Sequence, residues 1–216
     1  MPDPESSPTI ETFTLGPFQT NCYLVRSGAS ACWIVDAGAD PEPLVRRVRE
    51  LGLTPARIIL THAHADHIAG LEAVRSAFPD TPVLIHSGEA DFLSDPMLNL
   101  SAALGESLVV APADHLLTGS ETLDLAGAPW RVMHTPGHSP GGITLWCENA
   151  GMALVGDTLF AGSIGRSDFP TSDGPTLLRS IRDVLFALPD ETRVLPGHGP
   201  ETTIGQEKLS NPYLRP

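Results

Sequence analysis

Three histidines and an aspartate fall within seven residues, Thr61-His62-Ala63-His64-Ala65-Asp66-His67, and no other stretch constrains the chain's fold as strongly. Imidazole nitrogens and carboxylate oxygens at this density are the donors of a transition-metal site. A tetrahedral zinc closes with four ligands, yet more donors stand downstream. They are His138 in Thr135-Pro136-Gly137-His138-Ser139, Asp157 in Val155-Gly156-Asp157-Thr158, and His198 in Leu195-Pro196-Gly197-His198-Gly199. Each follows an apolar, strand-like run and sits beside glycine, where a loop at a strand end can bring a side chain against an ion. Seven candidates imply two metals, and a fold that gathers several strand ends at one edge.

The local pattern divides the cluster. Arg57-Ile58-Ile59-Leu60 reads as a short buried strand, and Ile68, Leu71, Arg75 and Phe78 then recur at helical spacing. In the extended part His62 and His64, two apart, can point to one side. Asp66 and His67, at the helix start, turn toward a second position. The first pair is expected on one ion and the second pair on the other. A carboxylate bridges two cations as an imidazole cannot, so Asp157 is the natural shared ligand, with His138 and His198 completing the shells. His86, His115 and His134 follow or sit in ordinary strand and loop contexts and read as packing or turn residues.

Three strands are expected over 9–15, 22–26 and 32–35, an antiparallel opening meander, followed by a helix over 41–51 with Asp40 as N-cap and Gly52 as its stop. Segments 57–78 and 83–93 each read as strand then helix, and 94–113 as a long loop able to cover the site. The second half predicts strands over 122–125, 130–133, 143–146 and 152–155, a helix over 175–187 and a strand over 193–195. Gly162 to Gly174 belongs at the rim. Two rounds of strands then helices fit an α+β fold, a four-layer αβ/βα sandwich. Residues 1–8 read as a flexible lead, and 9–216 as one domain large enough to bury a sizeable core.

A net charge of −13 repels polyphosphate backbones, so no nucleic-acid partner is expected. Cys22, Cys32 and Cys147 form no C-x-x-C pair, an odd count that favours reduced thiols and a cytoplasmic setting. No signal peptide and no membrane-spanning stretch is read.

Taken in order, Thr20-Asn21-Cys22-Tyr23, Val35-Asp36-Ala37-Gly38, the H-x-H-x-D-H run, Thr135-Pro136-Gly137-His138, Gly156-Asp157 and Gly197-His198-Gly199 resemble the metallo-β-lactamase-fold hydrolases over nearly the whole chain. Gly165-Arg166-Ser167-Asp168-Phe169 and Ser210-Asn211-Pro212-Tyr213-Leu214 are similar to the short bacterial glyoxalase II-like (hydroxyacylglutathione hydrolase-like) branch. The resemblance implies one metal on His62, His64 and His138, a second on Asp66, His67 and His198, and Asp157 bridging. Zinc is the expected metal, with iron or manganese as alternatives.

Two such cations about 3.5 to 4 Å apart bring a bridging water near neutrality in pKa, with Asp157 and Asp66 as the catalytic carboxylates and Asp66 or a metal-bound water the proton donor if one is needed. A small thioester is the expected substrate, because a thiol of pKa roughly 8.5 departs as thiolate without an acid. The longer glyoxalase II enzymes hold glutathione with a C-terminal helical domain; here a short tail follows His198, so glutathione as the carrier is not implied. Arg166 and Lys208, the only lysine, are the cations nearest the motifs and candidates for an anionic substrate group, with a surface ion pair as the alternative. The rival enzyme is a persulfide dioxygenase with one iron on His62, His138 and Asp157. A lactonase, a β-lactamase and a non-catalytic metal module are further readings.

Overall fold

The computed structural model describes residues 8–28 and 30–215, so the expected lead over 1–8 lies outside the described residues except for Pro8. The chain divides into two compact units: residues up to 117 together with 124–128, and residues 118–123 together with those from 129 onward.

In the first unit, β1 (Thr9–Leu15), β2 (Thr20–Ser27) and β3 (Ala31–Val35) form the expected antiparallel meander. The sheet then continues in parallel from β3 through β4 (Thr54–Ile59) and β5 (Val83–His86) to β6 (His115–Leu117). Leu24, Ile34, Ile58 and Ile85 of the sheet pack in one core with Leu44 and Val48 of α1 (Glu42–Glu50). Burial of each such side chain contributes about 1.5–3 kcal/mol.

The end of α1 is set as its sequence suggests. Gly52 takes φ 66°, Gly52 N–H donates to Arg49 O at 2.9 Å and Leu53 N–H to Val48 O at 3.1 Å, the paired bonds of a Schellman stop. Its start differs from expectation. Asp40 adopts φ 57°, a left-handed conformation, so Pro41 holds the N-cap position and no side chain caps the helix.

The single helix expected after β4 is two, α2 (Ala65–Ile68) and α3 (Leu71–Ala77). Gly70 breaks it: its N–H donates to Ala37 O at 2.8 Å, and a Cβ there would run into the Gly38 carbonyl oxygen and the Pro41 ring. After β5, residues 87–93 form two short 3-10 turns rather than a helix. Gly88 weakens helical propensity at this point, and Glu89 turns inward, fully buried. Of the long loop expected over 94–113, Ser101–Leu104 is a 3-10 turn. His115, expected in a loop, opens the edge strand β6.

The second unit centres on a sheet ordered β14-β13-β10-β9-β8-β7. Its strands are β7 (Thr122–Leu125), β8 (Ala128–His134), β9 (Ile143–Cys147), β10 (Met152–Gly156), β13 (Arg193–Pro196) and β14 (Thr202–Thr203). A small hairpin, β11 (Leu159–Phe160) with β12 (Ser163–Ile164), follows β10. Asp173 accepts from Thr176 N–H at 2.7 Å to start α4 (Gly174–Arg179), and the helical path continues through a π turn at Ser180–Val184 and a 3-10 turn at Leu185–Ala187. Leu177, Ile181 and Leu185 bury against Ala153, Val155 and Val194. The last helix of the described residues is α5 (Ile204–Ser210), which, like β11, β12 and β14, no sequence pattern announced. No helix of the described residues is long and apolar enough to cross a membrane.

Strand direction positions the chemistry. Because β3, β4 and β5 run parallel, Asp36, the run from His62 to His67, and Glu89 all leave from one edge of the first sheet. Because β8 and β10 both oppose β9, and β13 runs with β10, His138, Asp157 and His198 likewise leave from one edge of the second.

Candidate metal centre

In the first unit His62, His64 and His67 are buried side by side. The His62 ring lies 4.8 Å from that of His64 and 4.1 Å from that of His67, centroid to centroid. Asp66 Oδ2 lies 3.6 Å from His67 Nε2 and accepts the Thr20 hydroxyl at 3.1 Å. The four residues of the sequence cluster are therefore together, with His62 between the other two imidazoles.

One carboxylate orients this set. Asp36, 1% exposed, accepts Thr61 N–H on Oδ1 at 2.7 Å and, on Oδ2, the Thr61 hydroxyl at 2.7 Å and His67 Nδ1 at 2.9 Å. Thr61 Oγ1 has thereby given its hydrogen to Asp36, so at 3.2 Å from His62 Nδ1 it acts as acceptor. Both imidazoles then carry their proton on Nδ1, which leaves Nε2 as the basic nitrogen, the tautomer in which a hydrogen-bond acceptor behind the ring holds a metal-binding histidine. Asp36 does this from φ 60°, a left-handed conformation of the kind found where function dictates backbone geometry. Glu89 adds a second buried carboxylate, accepting Ala63 N–H between His62 and His64.

The second unit gathers the other three candidates. Asp157 Oδ2 stands 3.5 Å from His138 Nε2 and 3.5 Å from His198 Nε2. The Arg166 carbonyl accepts His138 Nδ1–H at 2.8 Å, fixing the same tautomer as in the first unit. Gly165 makes that approach feasible, since a Cβ there would strike the Asp157 carbonyl oxygen.

The donor spacing fits metal. An N–H···O hydrogen bond spans about 2.7–3.2 Å, whereas two donors each about 2.0–2.1 Å from a tetrahedral zinc stand about 3.3 Å apart. The separations of 3.5, 3.5 and 3.6 Å match the second length.

Other candidates have local partners. The Arg166 guanidinium forms an exposed two-point pair with Asp168, both bonds 2.9 Å, and stacks 4.4 Å from the Phe169 ring centre. Lys208 of α5 pairs with Asp190 at 2.6 Å. His86 Nδ1 accepts Gly88 N–H at 3.1 Å and His134 Nε2 meets Pro140 O at 2.9 Å, the local turn roles read from sequence. Asp36, Thr61 and Glu89 were not singled out as functional. For Asp36 a signal existed: it follows an apolar strand next to Ala37-Gly38, in the same strand-end position as the candidate ligands.

The sequence model of the metallo-beta-lactamase superfamily matches residues 15–198, from the end of β1 to the last of the histidine candidates. The chain belongs to this superfamily. Among its relatives in it, the probable metallo-hydrolase YqgX of Bacillus subtilis is 42% identical over 93% of this chain and 94% of its own. The hydroxyacylglutathione hydrolase GloC of Haemophilus influenzae is 37% identical over 95% and 97%. The crystal structure of BLEG-1 B3 metallo-beta-lactamase superposes with TM-score 0.91 at 43% identity, over 95% of this chain and 99% of that one. That of TTHA1623 in a di-iron-bound form does so with TM-score 0.83 at 37% identity, over 94% and 100%. The α+β sandwich expected from the sequence is thus the metallo-β-lactamase fold, and the chain is a metallo-hydrolase of this superfamily with His and Asp clusters capable of binding metal.

Proposed function

We propose that the protein is a binuclear metallohydrolase of small thioesters, of the hydroxyacylglutathione hydrolase type. In this reading His62, His64 and His138 hold one divalent cation and Asp66, His67 and His198 the other. Asp157 is shared between them. The observation that carries it is the equal 3.5 Å spacing of one Asp157 oxygen from two imidazole nitrogens, the geometry of a carboxylate serving two positions. Zinc suits these donors, and iron or manganese suits them too; the di-iron neighbour supports the pair and the alternative metal together.

Bound cations would polarise a carbonyl oxygen and acidify water to near neutrality. The chain's own contribution is orientation. Asp36, through His67 directly and through Thr61 to His62, keeps basic nitrogens facing one side, and the Arg166 carbonyl does the same for His138. Asp66 is held by the Thr20 hydroxyl. A thiolate leaving group of pKa roughly 8.5 needs no acid, and GloC supports the thioester class. The Arg166 guanidinium, paired with Asp168, and Lys208, paired with Asp190, are anion-binding candidates only if a substrate carboxylate displaces the partner. A cytoplasmic setting fits Cys22, Cys32 and Cys147, all buried free thiols.

A second reading, β-lactam hydrolysis, draws on the likeness to BLEG-1. Purified protein should contain close to two metal ions per chain and hydrolyse S-D-lactoylglutathione or another small thioester, with activity abolished by a chelator and restored by zinc. Turnover of a β-lactam but no thioester would sink the thioester reading. Oxygen uptake with glutathione persulfide would replace it with the dioxygenase.

A further inference from the structure

The Asn211-containing tail motif and the buried Glu207 have no part in the reaction described above, yet they meet the β11–β12 hairpin that follows Asp157. Glu207, 1% exposed on α5, accepts three hydrogen bonds: Gly162 N–H at 2.9 Å and Asn211 Nδ2 at 2.7 Å on one oxygen, and the Thr202 hydroxyl at 2.6 Å on the other. Asn211, also 1% exposed, donates from the same Nδ2 to Ser163 O at 2.9 Å. These bonds seize the turn of the β11–β12 hairpin, where Gly162 takes φ 70°.

That hairpin is linked by contact or by chain to each donor of the second unit. It begins just after Asp157. Phe160 on β11 sets its ring edge-on to the His198 imidazole, centroids 6.1 Å apart. Past β12, the chain returns so that Gly165 N–H reaches Thr158 O at 3.4 Å and the next carbonyl, that of Arg166, takes His138 Nδ1–H. A tilt of the hairpin would move the acceptor of one imidazole and the packing face of another together.

We propose that Glu207 and Asn211 are positioning residues for the metal-binding imidazoles His138 and His198, acting through the β11–β12 hairpin. The proposal rests on the metal-centre reading given above but not on the substrate, so its test is metal affinity. Chelator competition and calorimetry with zinc, on the full-length protein at a temperature where each variant is folded, should show Glu207→Ala weakened by about tenfold, the low end of the 10–100-fold that partners orienting metal-held histidines are worth.

Glu207→Gln should keep wild-type affinity. Its amide oxygen can accept from Gly162 and Asn211, while its NH₂ donates to a Thr202 hydroxyl that has only to rotate. A purely structural role predicts a lower melting temperature for Glu207→Ala with affinity within twofold of wild type, and that result overturns the proposal. So does a Glu207→Gln variant as weak as Glu207→Ala. If Glu207→Ala does not fold, Asn211→Ser, which cuts the bonds to Ser163 and Glu207 while keeping α5, must show the same loss or the proposal fails. Wild-type protein that binds no zinc would overturn the metal-centre reading, and the brace with it, whereas failure of the variants alone removes only the brace.

Discussion

Replacing Asp36 by asparagine should disable zinc binding at His62 and His67 without unfolding the protein. Asparagine tolerates the left-handed backbone that Asp36 adopts, and its volume is nearly the same. Its amide oxygen can still accept Thr61 N–H in place of Oδ1. The NH₂ then occupies the position of Oδ2, which now accepts from both the Thr61 hydroxyl and His67 Nδ1. A donor facing a donor forces His67 to shift its proton to Nε2. The Thr61 hydroxyl, receiving a hydrogen from the amide, turns its own toward His62 Nδ1 and drives that imidazole to the same tautomer.

Both nitrogens offered to metal become N–H groups. His62 and His67 serve different cations, so at about 10–100-fold for each orienting contact each site weakens by about 10–100-fold, and the product over both sites is about 10²–10⁴, or about 2.8–5.6 kcal/mol at 1.4 kcal/mol per tenfold. The charged hydrogen bonds lost cost about 1.5–3 kcal/mol of stability, within the 5–15 kcal/mol that ordinary domains possess. Calorimetry with zinc gives the affinity, and nitrogen-15 chemical shifts of the imidazoles give the tautomers. Wild-type zinc affinity, or unchanged Nδ1–H tautomers in a weakened variant, would refute the reasoning.

Further outcomes follow from other residues. Asp157→Ala should lower bound metal below two per chain and cut thioester turnover at least a hundredfold by metal analysis and steady-state kinetics, while His86→Ala, whose ring serves a local turn, leaves both within twofold. Gly70→Ala should lower stability by about 1–3 kcal/mol in chemical denaturation, because its methyl meets the Gly38 carbonyl oxygen. Burial works to raise the Glu121 carboxyl, but hydrogen bonds from the Thr118 hydroxyl and neighbouring backbone N–H groups outweigh it and hold the pKa down to about 2. The stabilisation is therefore complete above about pH 4.5 and is lost as pH falls toward 2, so the melting-temperature gap between wild type and Glu121→Gln should close over that interval.

The candidate metal ligands were legible because their chemistry is concentrated: H-x-H-x-D-H is a local pattern, and His138, Asp157 and His198 each follow a recognisable apolar strand. Orienting groups are written differently. Asp36 shares its strand-end position with the candidate ligands, but nothing local shows that it faces Thr61 and His67, and the meaning of Glu89 depends on a bond to Ala63, 26 positions away. The break between α2 and α3 was hidden because Ile68 and Leu71 keep helical spacing across Gly70, and only the nearness of Gly38 and Pro41 shows why the axis must bend. β6, β14 and the β11–β12 hairpin hold two or three residues per strand, too few for a period of two to register.

The long loop after β5 is knotted at its base. Asn99 Nδ2 donates to Phe92 O and Leu108 O, Ser101 Oγ accepts Leu108 N–H, and the Asn99 carbonyl receives Ala65 N–H at the start of α2. Residues 102–107 hang between these tied ends, mostly exposed. Insertions or sequence drift in that tip need not disturb Ala65 or the histidines beside it, which gives evolution, and engineering, a segment open to change while the buried histidine run stays anchored.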